Sequence, residues 1–240
     1  MRVSVLIPCH NAARYVEEAL ESAFSQGVDL HEVVIVDDGS TDGSGDRVRA
    51  FGDHVRVHRQ TNTGISGARN AALALATGDV IAFLDADDVW PDGSLRARLE
   101  ALMTDDSIDY SYGRVEQFIS PDVSPESASA HATAIVDPRP ARLAGAMLVR
   151  RQAFTRVGGF SPILRVGETL DWVARADDLG IPNRSIPDLV LKRRLHATNT
   201  GLMKQMSRGD YLAVARAALA RRRQAARKGD LSTGAPQGAS

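Results

Sequence analysis

The chain of 240 residues contains one cysteine, Cys9. No intrachain disulfide can form, which fits a reducing compartment. It also lacks a charge of one sign: 29 Lys and Arg stand against 30 Asp and Glu. A formal net charge of −1 argues against a general nucleic-acid binder, which needs a basic face. Long apolar runs are missing too. Residues 3–7 are far too few for the apolar core of a secretion signal, and nothing approaches the roughly 20 apolar residues of a membrane span. Cytoplasm is the expected location. No internal repeat is present, and the turn after the first apolar run, Pro8-Cys9-His10-Asn11, has no glycine. That excludes the Gly-x-Gly-x-x-Gly turn of a dehydrogenase and argues against the phosphate loop of a sugar nucleotidyltransferase.

What is present is a globular composition, 43% hydrophobic and 25% charged, arranged at first as alternating strand and helix patterns. Residues 3–7, 33–36 and 80–84 are short, mainly apolar runs that read as strands, and 55–58 reads as another. Between and after them, residues 13–25, 64–76 and 93–103 carry apolar residues at helical spacing, with Asn11 a cap for the first. This alternation implies a mainly parallel sheet covered on both faces. The second half is less regular. Strands are predicted at 110–118, 146–149 and 189–195, and a helix at 168–179. Residues 119–142, rich in Ser, Pro and Ala, read as a long mobile loop that would order over a ligand.

Two strand ends carry more acid than capping requires. Residues 80–84 run straight into Asp85-Ala86-Asp87-Asp88, three carboxylates within four residues. Such crowding is unfavourable unless a cation neutralises it, and hard oxygen ligands suit Mg²⁺ or Mn²⁺ held together with nucleotide phosphates. The ordinary alternative is an acidic turn ahead of Pro91. The second strand ends in Asp37-Asp38-Gly39-Ser40-Thr41-Asp42. A carboxylate there can accept from a base N–H or a ribose hydroxyl; alternatively Ser40 or Asp42 caps a helix. Ligands of such sheets sit beyond the carboxyl ends of the strands, which joins the two acidic ends into one site. Asn62-Thr63-Gly64-Ile65-Ser66-Gly67-Ala68-Arg69 opens the third helix, where a nucleotide can approach the backbone and Arg69.

Taken in order and spacing, residues 3–11, 36–40, 64–70 and 85–88 resemble the family 2 glycosyltransferases, inverting enzymes of the GT-A fold. The resemblance implies an α/β GT-A domain over residues 1–200, with a Rossmann-like, mainly parallel central sheet and helices on both faces. Its donor half would be 1–105 and its acceptor half 106–200. It also implies a nucleotide sugar, UDP-linked by preference, and Mn²⁺ or Mg²⁺. Pro8 and His10 would line the base pocket, with Asn11 beside them. Asp38 would bond the uracil with Arg69 alongside, and Asp85 the ribose, next to Ala86. Asp87 would hold the metal, and His196 would reach it from the C-terminal side. Arg193 and Arg194 could clamp the diphosphate. The acceptor would be a glycan, a peptide or a small molecule.

One position departs from the family. Its catalytic base is the Asp of a Glu-Asp pair before a helix, and here the pair reads Glu168-Thr169. Thr169 has no useful pKa. Glu168 takes the role, or Asp171 does, or the acceptor is a thiol, phosphate or carboxylate that ionises unaided. A non-catalytic donor-binding module is the remaining alternative. Beyond residue 200, residues 201–228 read as a basic helical segment and 229–240 as a disordered tail. The basic segment lacks the apolar face of a membrane anchor, so membrane contact is not expected.

Overall fold

The computed structural model describes residues 1–121, 123, 137–164, 166–196 and 214–221. The long loop foreseen at 119–142 therefore falls mostly outside the described residues, as do the tail foreseen at 229–240 and all of the basic segment except a helical stretch at 214–221.

Among the described residues, one eight-stranded sheet organises the chain. Its order is β3-β2-β1-β4-β7-β5-β6, with β8 also paired to β5. The first four strands are β1 (Val3–Cys9), β2 (Glu32–Asp38), β3 (Arg56–Gln60) and β4 (Val80–Phe83). They pair in parallel, β1 lying between β2 and β4. β7 (Met147–Arg150) then runs antiparallel to both β4 and β5 (Tyr110–Ile119). The short β6 (Arg139–Pro140) is antiparallel to β5, and β8 (Asn183–Leu195) is parallel to it.

β1 and β4 are buried along their whole length, as their mainly apolar sequence requires, and the one buried hydroxyl, Ser4, donates to Glu32 Oε1 at 2.6 Å. Val3, Val5 and Ile7 face one core, beneath α1 (Val16–Phe24), α2 (Ser44–Arg49) and α4 (Ser94–Thr104). Leu6, Ile81 and Phe83 face the other, beneath α3 (Gly64–Leu75), α5 (Arg151–Val157) and α6 (Glu168–Asp178). The chain leaves β1 toward β2 on one side and returns as β4 on the other. Strand order thus reverses at β1, where a crevice opens beyond the strand ends.

Three local expectations change. Asn11 does not cap α1, which begins only at Val16 with Tyr15 at the cap position. Asn11 instead adopts a left-handed φ of 51°, and its Oδ1 accepts from the Thr41 N–H at 2.9 Å, stitching the β1 turn to the β2 turn. The seven-residue α5 is too short to show a periodicity and follows β7 directly. β8 starts six residues before the predicted strand, because its first residues are exposed and its register slips around Pro187. Gly113 lies at that slip, where a Cβ would stand 2.6 Å from Val190 Cγ1.

Candidate active site

The cleft at the switch point has a volume of about 1130 Å³. At one end, the turn after β1 meets the turn after β2 and the start of α3. Asp38 sits at the end of β2, and its carboxylate accepts from the backbone N–H groups of Thr63 at 2.8 Å and Gly64 at 2.9 Å, and from Gln60 Nε2 at 2.8 Å. The N-terminus of α3, whose cap residue Thr63 makes no capping bond of its own, is thereby given an anion. Capping and the candidate site thus share one residue. His10 lies against it, Nδ1 at 2.8 Å from the Asp38 carbonyl, with Asn62 Nδ2 at 3.1 Å from Nε2. Asp37 points elsewhere: it is buried, accepts from the Ser40 N–H at 2.8 Å and approaches Arg59 at 3.6 Å.

The middle of the cleft is organised by Arg69, buried on α3. Its guanidinium donates to Asp85 Oδ1 at 2.6 Å, to Glu168 Oε1, and to Thr169 Oγ1 at 3.2 Å. Phe83 and Phe160 flank it at 6.0 and 5.6 Å. Burial opposes a charge here, yet the carboxylates of Asp85 and Glu168 outweigh it and raise the Arg69 pKa. Burial likewise opposes the Glu168 charge, but the Arg69 cation, a backbone N–H and the Thr169 hydroxyl hold its carboxyl below the usual value. Glu168 is therefore an ionised but weakened base.

At the other end, Asp87 Oδ2 lies 2.9 Å from Nε2 of His196, whose ring packs on Tyr15 at 4.7 Å. Asp88 is buried and accepts the Arg194 N–H at 2.9 Å. Burial first, then the charges of Asp87 and Asp85, push its carboxyl well up. Among the described residues no three His, Cys, Asp or Glu side chains converge as a ready metal cage. A cation here would take Asp87 and His196 from the protein.

Most of the residues expected from the sequence line this cleft: Pro8, His10, Asn11, Asp38, Arg69, Asp85, Ala86, Asp87, Glu168 and His196. Two do not. Asp171 lies one turn along α6, bonded to Arg175 at 2.9 Å, in a separate depression bordered by Arg221. It cannot face an acceptor in the main cleft without α6 turning about its axis. Arg194 is buried beneath the β4 loop, while its neighbour Arg193 lines the cleft, since successive strand residues point to opposite faces. Sequence reasoning missed Asn62 and the apolar lip beside Glu168, where Ile163 is 87% and Leu170 44% exposed. Only Ile163 carries a legible signal, an aliphatic side chain in a turn.

A mainly parallel sheet with such a crevice at its switch point has the architecture of the GT-A glycosyltransferases. The chain belongs to glycosyltransferase family 2: the family's sequence model, Glycosyl transferase family 2, matches residues 4–166. It is 35% identical over 117 residues to the Escherichia coli UDP-Glc:alpha-D-GlcNAc-diphosphoundecaprenol beta-1,3-glucosyltransferase WfgD, spanning 48% of this chain and 46% of that protein. TarS from S. aureus in complex with UDP-GlcNAc superposes with a TM-score of 0.69 at 19% identity, covering 91% of this chain and 65% of that one. The mannosyltransferase PcManGT from Pyrobaculum calidifontis, in complex with GDP-Man and Mn²⁺, gives 0.66 at 21%, covering 91% and 64%. At these identities the structural likeness speaks for the fold. The chain spans less than half the length of the curated relatives it matches.

Proposed function

We propose that the chain transfers a sugar from a nucleotide sugar, with UDP as the nucleotide, to an acceptor with inversion at the anomeric carbon. The observation that supports this most is the gathering, in one cleft, of His10 and Asp38 at one end and Asp87 with His196 at the other, with Asp85 between them joined to Glu168 through Arg69. His10 and Asp38 bind the base, and Asp85 the ribose. Residues 1–105 supply the donor half and 106–200 the acceptor half.

The donor set suits Mn²⁺ or Mg²⁺. One carboxylate and one imidazole leave the remaining positions to phosphate oxygens and water, and Asp85 and Asp88 add negative charge beside them. When bound, the cation supplies Lewis-acid stabilisation of the leaving diphosphate. Glu168 accepts the acceptor's proton, a contribution of about 10²–10⁴-fold for a well-placed base. Arg69 keeps Glu168 ionised and fixed in direction. The acceptor enters past the lip of Ile163 and Leu170.

The hold of Arg69 and Thr169 on Glu168 Oε1 favours a second reading, in which the acceptor is a thiol, phosphate or carboxylate that needs no strong base. Release of UDP from a panel of UDP-sugars with Mn²⁺, alone and with hydroxyl, thiol and phosphate acceptors, separates the readings. Turnover on hydroxyl acceptors supports Glu168 as base, and turnover confined to the others supports the second. UDP binding with no turnover at all leaves a donor-binding module.

A further inference from the structure

We propose that Arg194 is a positioning residue for the metal end of the cleft, acting through Asp87, Asp88 and His196 and not on the diphosphate. This rests on the reading that Asp87 and His196 take Mn²⁺ or Mg²⁺. Arg194 is only 4% exposed, and its guanidinium donates in two directions. Nε donates to the Asp87 carbonyl at 2.9 Å, and Nη2 donates to Glu18 Oε2 on α1 at 2.5 Å. The backbone N–H of the same residue donates to Asp88 Oδ1 at 2.9 Å. The guanidinium lies between two rings, 5.0 Å from the Tyr15 centroid and 4.7 Å from that of Phe118.

Tyr15 connects this cation to the metal end. Its ring backs Arg194 and also packs on His196 at 4.7 Å, and His196 is 2.9 Å from Asp87. Arg194 thus holds the Asp87 peptide from behind while Tyr15 sets the imidazole in front of the Asp87 carboxylate. β8, which carries Arg194 and leads into His196, is itself tied to the segment after Asp88, through backbone bonds between Lys192 and Val89 at 2.9 and 3.1 Å. Only arginine meets these demands at once. Its flat fork donates in two directions and stacks on rings, whereas a lysine ammonium is a single point charge. Residues that orient metal ligands typically govern affinity by 10–100-fold without touching the ion.

The test uses the full chain and its Arg194→Met and Arg194→Lys variants. Calorimetry measures UDP binding without metal, and electron paramagnetic resonance measures Mn²⁺ binding at saturating UDP. Arg194→Met is expected to weaken Mn²⁺ about 10–100-fold while changing metal-free UDP affinity by less than about 3-fold, with Arg194→Lys intermediate. Equal loss of metal-free UDP binding would mean a direct diphosphate clamp and overturn the proposal, as would unchanged Mn²⁺ affinity. If circular dichroism shows Arg194→Met unfolded, Arg194→Lys and Tyr15→Leu decide: weakened Mn²⁺ binding in both supports the proposal, and wild-type affinity in both overturns it. A wild-type chain that binds UDP but takes up no Mn²⁺ at saturating UDP overturns the metal reading and this proposal together. Mn²⁺ binding that survives every Arg194 variant overturns this proposal alone.

Discussion

Asp85 at the end of β4 and Glu168 at the start of α6 grip the same guanidinium, that of Arg69. One buried cation therefore ties the parallel half of the sheet to the first helix turn of the second half. Thr169 completes the cluster, accepting from Arg69 at 3.2 Å and donating to Glu168 at 3.0 Å. A carboxylate in place of Thr169 would add a third negative charge around one positive one, so the threonine suits a cluster that keeps Glu168 paired.

Removing the cation should be costly. Arg69→Met leaves Glu168 buried without its partner, and the expected destabilisation in urea is about 3–5 kcal/mol. The pH dependence has a definite sign. The Glu168 pKa is lowered on folding, so its stabilisation is complete above the unfolded value of about 4.3 and is lost as pH falls through the folded value. The stability gap between wild type and Glu168→Gln should accordingly shrink below about pH 4.

Glu168→Gln is expected to lower turnover on a hydroxyl acceptor by about 10²–10⁴-fold with UDP affinity nearly unchanged. The acidic limb of the wild-type pH–rate curve should lie below the ordinary glutamate range and vanish in the variant. Asp171→Asn should cost far less, because its carboxylate lies in another depression and holds Arg175. An inactive Asp171→Asn with an active Glu168→Gln would reverse the assignment.

A complex with Mn²⁺ and the nucleotide diphosphate should show oxygen contacts of about 2.1–2.2 Å from the metal to Asp87 and to both phosphates. Asp87→Asn should lose at least about 100-fold in turnover together with its metal dependence. Wild-type rates and Mn²⁺ response in that variant would exclude Asp87 as the ligand.

Calorimetric titration should rank UDP well above GDP and ADP, because His10, Asn62 and the Asp38 carboxylate offer a small base both donor and acceptor groups. Similar affinities for all three would show that the pocket does not read the base.

Cys9 lies on β1 just behind His10, and burial pushes its thiol up to about 12. It should resist alkylation at pH 8 in the folded chain and react on unfolding. A raised folded pKa means that this contribution to stability is present below the unfolded value near 9 and declines as pH rises toward 12. Rapid labelling of the native chain would show that β1 opens.

The first half of the chain is legible because its signals are local. Continuous apolar runs mark strands buried on both faces, and carboxylates placed directly after them mark the ligand end of a parallel sheet. The second half is less so. α5 has only seven residues, and β8 carries an exposed, polar first stretch and a register slip. Neither shows a clean period over a useful length.

The sequence by itself determined the strand order class, the family and the set of ionisable residues available to the cleft, since these follow from patterning and spacing along the chain. Tertiary structure alone decided how those residues are used. Asp38 faces the cleft while Asp37, next to it, is buried behind the turn, because neighbouring strand residues point to opposite faces. The same alternation puts Arg193 in the cleft and Arg194 beneath it. Glu168 is weakened as a base by Arg69, far from it in sequence, and only the fold, which seats the start of α6 beside Arg69, brings that charge within hydrogen-bonding distance. Electrostatic environment depends on distance through the fold, which a linear chain does not state.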